Sequence, residues 1–457
     1  MNGGTVRRRQ EAPGTKRAGD RGGGPRVSTR ATGRRARKRR TALAAAALVA
    51  AAGLTACSSG DGGMVINVYG GTTDTDWDKV LNRCNQQADG RYRIVGNLLP
   101  SDADGQREQL VRRLAAKDSG MDVLGMDVIW TAEFAEAGWV RELTGAQQQQ
   151  ASDGVLAKPL ETATWKGKLY GIPRHTNVQL MWYRKSLVPN PPKTWDEMIK
   201  TAQQLKSEGK TYQIGLTGSQ YEGYVVAFNT MLTSYGGTLV NEDSTQATVD
   251  DKTVQALTLL KNFATSGVAS PSLSQSQEPQ VFAQLQTGQA AFAINWPYVL
   301  ASMRDAGKTD PNSKKIADDL GYAVYPQIVP GKQTTVTMGG MNYGISSYSK
   351  HPEESFEAAM CLRDETSQLM GALAAGNVPS LQSVYDNPEF QKAYPMYQVI
   401  LDELEVASIR PKSPVYQNIS SIVSSTLSPP QSIQPEATAN SLRTDIQETL
   451  EGKGILP

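Results

Sequence analysis

The chain has 457 residues, with 47 Lys and Arg against 45 Asp and Glu, three Cys and two His. Fourteen of the basic residues but two of the acidic ones fall in residues 1–56, so the other 401 residues hold 33 basic against 43 acidic, a net of −10, which excludes a basic nucleic-acid footprint on the body of the chain. A body of that length predicts two domains rather than one core, and two His without a Cys-x-x-Cys or His-Glu-x-x-His pattern leave no recognisable metal site and call for no cofactor.

The first element is a leader. Arg7 to Arg9 and the cluster Arg34, Arg35, Arg37, Lys38, Arg39 and Arg40 precede an uninterrupted run of small and apolar residues from Thr41 to Ala56. That is a basic region followed by a hydrophobic one, and it is shorter than the roughly 20 residues needed to span a bilayer, so it reads as a secretory signal over residues 1–56. The segment that ends it, Leu54-Thr55-Ala56-Cys57, resembles a bacterial lipobox. The resemblance implies cleavage before Cys57, lipid on that thiol, a polar tether over 57–63 and a body anchored to the cell membrane on its extracytoplasmic, periplasmic side. Cys84 and Cys361 then remain. An oxidising compartment favours pairing them, and two separately buried thiols are the alternative.

Along the body, Met64 to Tyr69 reads as a strand, residues 76–88 as a helix, Arg91 to Leu98 as a strand and Asp104 to Ser119 as an amphipathic helix. Met121 to Trp130 is a third strand, apolar on both faces, with a helix opening at Thr131. This alternation predicts an open α/β sheet covered on both sides. Thr194-Trp195-Asp196-Glu197 starts a helix with Thr194 as N-cap and Glu197 in the reciprocal position. Helices are expected over 221–235, 253–266, 278–287 and 351–363, strands over Val324 to Val329 and Met341 to Ser346, and a helical C-terminal region from Pro388 onward.

Enzyme signatures are absent. Gly218-Ser219 lacks the second glycine of a nucleophile elbow, and Gly70-Gly71 has neither the third glycine nor the lysine of a phosphate cradle. Asp127, Glu222 and Glu278 have the side-chain type of a glycosidase pair, but their separation is not a property of sequence, and an anchored glycoside hydrolase stands as the alternative to a binding protein. Asn295-Trp296-Pro297-Tyr298 is more informative. Its planar rings, stiffened by proline and flanked by amide and carboxylate residues, are the groups that hold the apolar faces and hydroxyls of a neutral sugar; a plain core tryptophan is the competing reading.

Nine segments taken in order carry a resemblance over nearly the whole body: Asp127-Val128-Ile129-Trp130, Leu169 to Pro173, Tyr183-Arg184-Lys185, Thr194 to Glu197, Tyr221-Glu222-Gly223, Gly288 to Ala291, Asn295 to Tyr298, Gly339-Gly340, and Arg410-Pro411 through Pro414-Val415-Tyr416. In this order and spacing the chain resembles the extracellular solute-binding proteins of carbohydrate ABC importers. Within that family Asn295 to Tyr298 and Arg410 to Tyr416 are most similar to the trehalose and maltose binders. Asp127 through Trp139 and Cys361 to Asp364 are most similar to the mycobacterial trehalose-binding lipoproteins.

The resemblance implies a two-lobed, maltose-binding type of fold, with lobe 1 over 64–173 and 338–378 and lobe 2 over 174–337 and 379–457, joined by a multi-strand hinge. It implies no enzymatic reaction. Trehalose or a related disaccharide would lie between the lobes and pass to ABC permease subunits, the protein itself being a monomer within the transporter complex. Asp127 would take a pair of hydroxyls, an N-cap role being its alternative. Asn177 would face the sugar at the first crossing, Trp296 would stack on it, and Tyr298 would supply a second aromatic. Gly340 and Met341 would let backbone groups approach the ligand, and Arg410 would reach the cleft from the C-terminal helices, a structural ion pair being its alternative. Glu278, and with less to separate them from structural roles Glu222 and Asp74, complete the set. Cys84 and Cys361 would share lobe 1, which favours their pairing.

Overall fold

The computed structural model describes residues 63–70 and 77–453; the leader, Cys57 and Asp74 lie outside the described residues. In chain order the strands are β1 Val65–Tyr69, β2 Arg93–Asn97, β3 Val123–Asp127, β4 Thr164–Trp165, β5 Lys168–Leu169, β6 Ile172–Asn177, β7 Leu180–Arg184, β8 Gln213–Gly215, β9 Ala290–Asn295, β10 Leu320–Ala323, β11 Gly339–Ile345 and β12 Val378–Pro379.

Two sheets organise them. One has the order β12-β6-β11-β3-β1-β2 and the other β10-β7-β9-β8, with β4 and β5 paired as a separate hairpin. β1 runs parallel to β2 and β3, so each connection needs a crossover helix, and the helices Trp77–Gln87 and Ala103–Ala115 supply them. β11 is antiparallel to both β3 and β6.

Neighbouring residues of β3 show how the first sheet is covered on both faces, as the apolar run in the sequence predicts. Val123 packs with Ile66, Ile172 and Tyr343 on one side, while Leu124 and Met126 pack with Trp130 and Phe134 on the other. The second sheet sits in the largest core, where Trp182, Phe228 and Phe292 meet Ile400, Ile419 and Leu442 from the C-terminal helices. That region is helical, in four segments from Pro388–Ala393 to Pro435–Leu450. The chain leaves the first sheet after β6, returns in β11 and leaves again after β12.

Helix Trp77–Gln87 buries Trp77, Val80, Leu81 and Cys84, the spacing of one helical face. Cys84 is thereby presented to helix Pro352–Arg363, and it forms a disulfide with Cys361 across a Cα–Cα distance of 5.8 Å. Arg83 reinforces the same junction by donating to the carbonyl of Cys361 at 3.0 Å and to Asp364 at 2.6 Å.

Two local expectations need adjustment. The strand expected over 324–329 lies earlier, at Leu320–Ala323; Pro326 has no N–H to give a ladder, and Gln327 makes an isolated bridge to Thr194 instead. At the helix Trp195–Ser207, Thr194 accepts from the Glu197 N–H at 3.1 Å as expected, but the Glu197 carboxylate reaches back one residue further, to the Lys193 N–H at 2.7 Å.

Candidate functional site

The predicted residues that the structure describes gather where β3 and β6 end, β11 begins and β9 of the second sheet ends. Met341 is in register with Asp127, Gly340 with Thr176 and Gly339 with Asn177. The Val128 N–H donates to the Gly340 carbonyl at 3.2 Å, closing the edge of this platform. Gly340 has φ +136°, and a Cβ there would lie 2.5 Å from the His175 carbonyl, so close packing against β6 requires glycine independently of any ligand.

Trp296 spans the gap between the sheets. It follows the last residue of β9, and a Cβ on Gly339 would sit 3.0 Å from its ring and 3.5 Å from the Asn177 Cβ. The far edge of the indole, Cη2 and Cζ3, therefore comes up against bare backbone beside Asn177, whose Oδ1 is buried without a hydrogen-bond partner among the described residues. Trp296 Nε1 is 3.4 Å from a Glu278 carboxylate oxygen, and the other oxygen accepts from the Tyr221 hydroxyl. Burial and the Glu278 charge push the Tyr221 phenol well above its ordinary value, so it stays a donor.

Asn295, which the sequence marks as an amide of the sugar-holding motif, is in the structure the fastener of this group. Fully buried, it accepts from the Trp296 N–H at 2.8 Å and donates to the Glu278 carbonyl at 3.1 Å. Tyr298 donates to that same carbonyl at 3.1 Å and packs its ring 6.1 Å from Phe282. Its ring is thus engaged with the protein, where the resemblance expected a second ligand-facing aromatic.

A second group adjoins the first through residues 338–341. Arg410, 4% exposed, donates to Glu222 with one nitrogen and to the Met338 carbonyl with the other at 3.2 Å; the latter nitrogen is 3.5 Å from Asp127. Glu222 also accepts from Tyr416 at 2.9 Å and from Ser420. Arg410 is thus an internal ion pair as well as a neighbour of Asp127.

Asp127 accepts from the Ile129 N–H at 3.2 Å, which is the local turn-capping role that competes with a ligand role, yet its side chain keeps 18% of its exposure. Desolvation raises its pKa, Arg410 lowers it, and Asp104 and Glu278 raise it further. Glu222 is likewise raised by burial, against the pull of Arg410. Asp104, to which the sequence assigned no role, enters from the first turn of helix Ala103–Ala115 and accepts from Gln417 at 3.1 Å.

Chemically the arrangement offers one aromatic face, carboxylates that accept hydroxyl donors, an unsatisfied amide oxygen and a rigid backing. Among the described residues no group of His, Cys, Asp and Glu is arranged to hold a metal ion, and no helix is long and apolar enough to cross a membrane.

Comparisons with known proteins agree with this geometry. A family model described as bacterial extracellular solute-binding protein matches residues 97–362. A probable ABC transporter-binding protein of Deinococcus radiodurans is 27% identical over 348 residues, 72% of this chain and 80% of the relative. A maltotriose-binding protein of Pyrococcus abyssi is 23% identical over 338 residues, 71% of this chain and 69% of the relative. Among solved structures, maltose-bound T. maritima MalE3 is similar with a TM-score of 0.75 at 25% identity, covering 84% of this chain and 100% of that one.

Proposed function

Since the chain belongs to the bacterial extracellular solute-binding proteins and is the solute-binding component of an ABC transporter, we propose that its ligand is trehalose or a closely related neutral disaccharide, bound between the two sheets. It is not an enzyme; its relatives and its fold are those of substrate-binding proteins. The observation that carries the sugar reading is the half-buried Trp296 ring braced at its far edge against Gly339 beside Asn177, with Glu278 fixed at its indole nitrogen. A pyranose stacks its C–H face on such a ring while its hydroxyls reach the carboxylates around it.

In this reading Trp296 is the platform, Asp127 and Glu278 accept hydroxyls, and Asn177 contributes its unpaired oxygen. Gly340 and Met341 offer backbone groups. Arg410, Glu222 and Tyr298 mainly hold these residues in place, and Asp74 is a further candidate through the family resemblance alone. The lobes over 64–173 with 338–378 and over 174–337 with 379–457 close on the ligand, because both contact it in the closed form alone and binding shifts the equilibrium toward that form. The permease then meets the closed state.

We also infer a lipid anchor at Cys57. Tethering keeps the binder at high effective concentration beside its transporter. Replacing Cys57 with alanine is expected to release the protein from the membrane with sugar affinity unchanged; membrane retention of that variant would contradict the anchor. Maltose is the second ligand to test, because a maltose-bound protein shares the fold. Calorimetric titration with trehalose, maltose and a polyol decides among them, and no heat with either disaccharide would reject the ligand class.

A further inference from the structure

We propose that the cleft selects its saccharide by charge, accepting neutral and amine-bearing sugars and excluding phosphorylated or uronic ones; this rests on the sugar-binding reading above. Carboxylates converge on the site from separate elements: Asp104 at the start of helix Ala103–Ala115, Asp127 at the end of β3, Glu222 at the start of helix Glu222–Ser234 and Glu278 at the start of helix Glu278–Gln286. Arg410 pairs with Glu222 and lies 3.5 Å from Asp127, Asp104 joins the group through Gln417 at 3.1 Å, and Glu278 sits 3.4 Å from the Trp296 indole nitrogen. Beyond the effect of burial, neighbouring carboxylates therefore raise the pKa of Asp104, Asp127 and Glu222.

The cations around them are already engaged. Arg410 divides its guanidinium between Glu222 and the Met338 carbonyl. Arg107, on the same helix as Asp104, is held by both oxygens of Glu133 at 2.8 and 2.6 Å. Lys412 donates to the Glu161 carbonyl at 3.0 Å and lies 3.8 Å from its carboxylate. An incoming phosphate therefore meets four carboxylates around one buried guanidinium, Arg410, whose two terminal nitrogens are already engaged, in a partly buried setting where like charges repel strongly. A sugar hydroxyl donates to the same carboxylates without that penalty, and an ammonium adds attraction.

The test is calorimetry on the purified protein at neutral pH with four ligands: trehalose, its 6-amino-6-deoxy derivative, its 6-phosphate, and the neutral dimethyl ester of that phosphate, which matches its bulk. The amine is expected to bind at least as tightly as trehalose, and the phosphate roughly 30-fold or more weaker than its neutral ester. That gap should narrow several-fold in Asp104→Asn and again at high salt, as screening demands. A steric rejection would leave the gap untouched by either change. Phosphate and ester binding within about threefold of each other, or a gap indifferent to Asp104→Asn and salt, overturns the proposal while trehalose binding keeps the sugar reading intact. Failure of all four ligands overturns both.

Discussion

Trp296 donates toward Glu278 from its indole nitrogen at 3.4 Å, so the aromatic platform and the carboxylate at its edge are held as one unit rather than as two independent side chains. Trp296→Ala removes the platform and frees Glu278 to move. The expected loss of affinity is at least about 100-fold, the scale of a central aromatic contact. Trp296 is half-buried, so the melting temperature should move by only a few degrees. Titration calorimetry paired with thermal unfolding checks both halves.

Arg410 behaves differently, because it is a structural charge as well as a neighbour of the site. Arg410→Ala strands Glu222 in the interior, which costs about 3–5 kcal/mol. Replacing both with apolar residues, Arg410→Met with Glu222→Leu, should recover most of that stability without restoring sugar affinity. Asp127→Ala is the contrasting case, with affinity lost and stability nearly kept. Denaturant melts of the three variants separate the roles.

Glu403 gives a pH signature remote from the cleft. Burial pushes its carboxyl up from 4.5 to about 7, although the Tyr325 N–H donates to it at 2.7 Å. The folded protein holds this proton more tightly than the unfolded chain. The group's contribution to stability is therefore full below the ordinary carboxylate range, falls as pH rises toward 7, and levels off above it. The span is on the order of 3 kcal/mol. Glu403→Gln should flatten that part of the stability profile and raise the melting temperature at pH 8; an unchanged profile would remove Glu403 as its source.

The disulfide joins residues 277 positions apart, and its removal should be felt in folding stability rather than in recognition. Replacing Cys84 and Cys361 by serine is expected to cost about 2–4 kcal/mol. Sugar affinity should stay within a few-fold, since the bridge lies between helices behind the first sheet. Intact mass of the folded protein with and without reductant verifies the pairing.

Much of the architecture was legible because its signals are local. The continuous apolar run at β3, the helix at Trp77–Gln87 and the Thr194 cap all survive in the structure, with ends shifted by up to three residues. β10 was misplaced by four residues because Val324 to Val329 has strand composition but contains Pro326, and the ladder forms on the glycine-containing segment before it. At the site, Trp296, Asp127 and Glu278 stood out by side-chain type. Asp104 did not, because its importance comes from a partner 313 positions away, and the fastening role of Asn295 likewise depends on one 17 positions away. Tyr298 illustrates the same limit: an aromatic two residues from a platform can point either way, and here its hydroxyl is drawn to the Glu278 carbonyl.

The most direct measurement is a thermal and calorimetric titration of the purified protein with trehalose. A cleft built around Trp296 for a neutral disaccharide predicts saturable one-site heat and a melting temperature that climbs with ligand concentration as linkage requires. Absence of both at millimolar trehalose, together with a clear shift from a monosaccharide polyol, would contradict it.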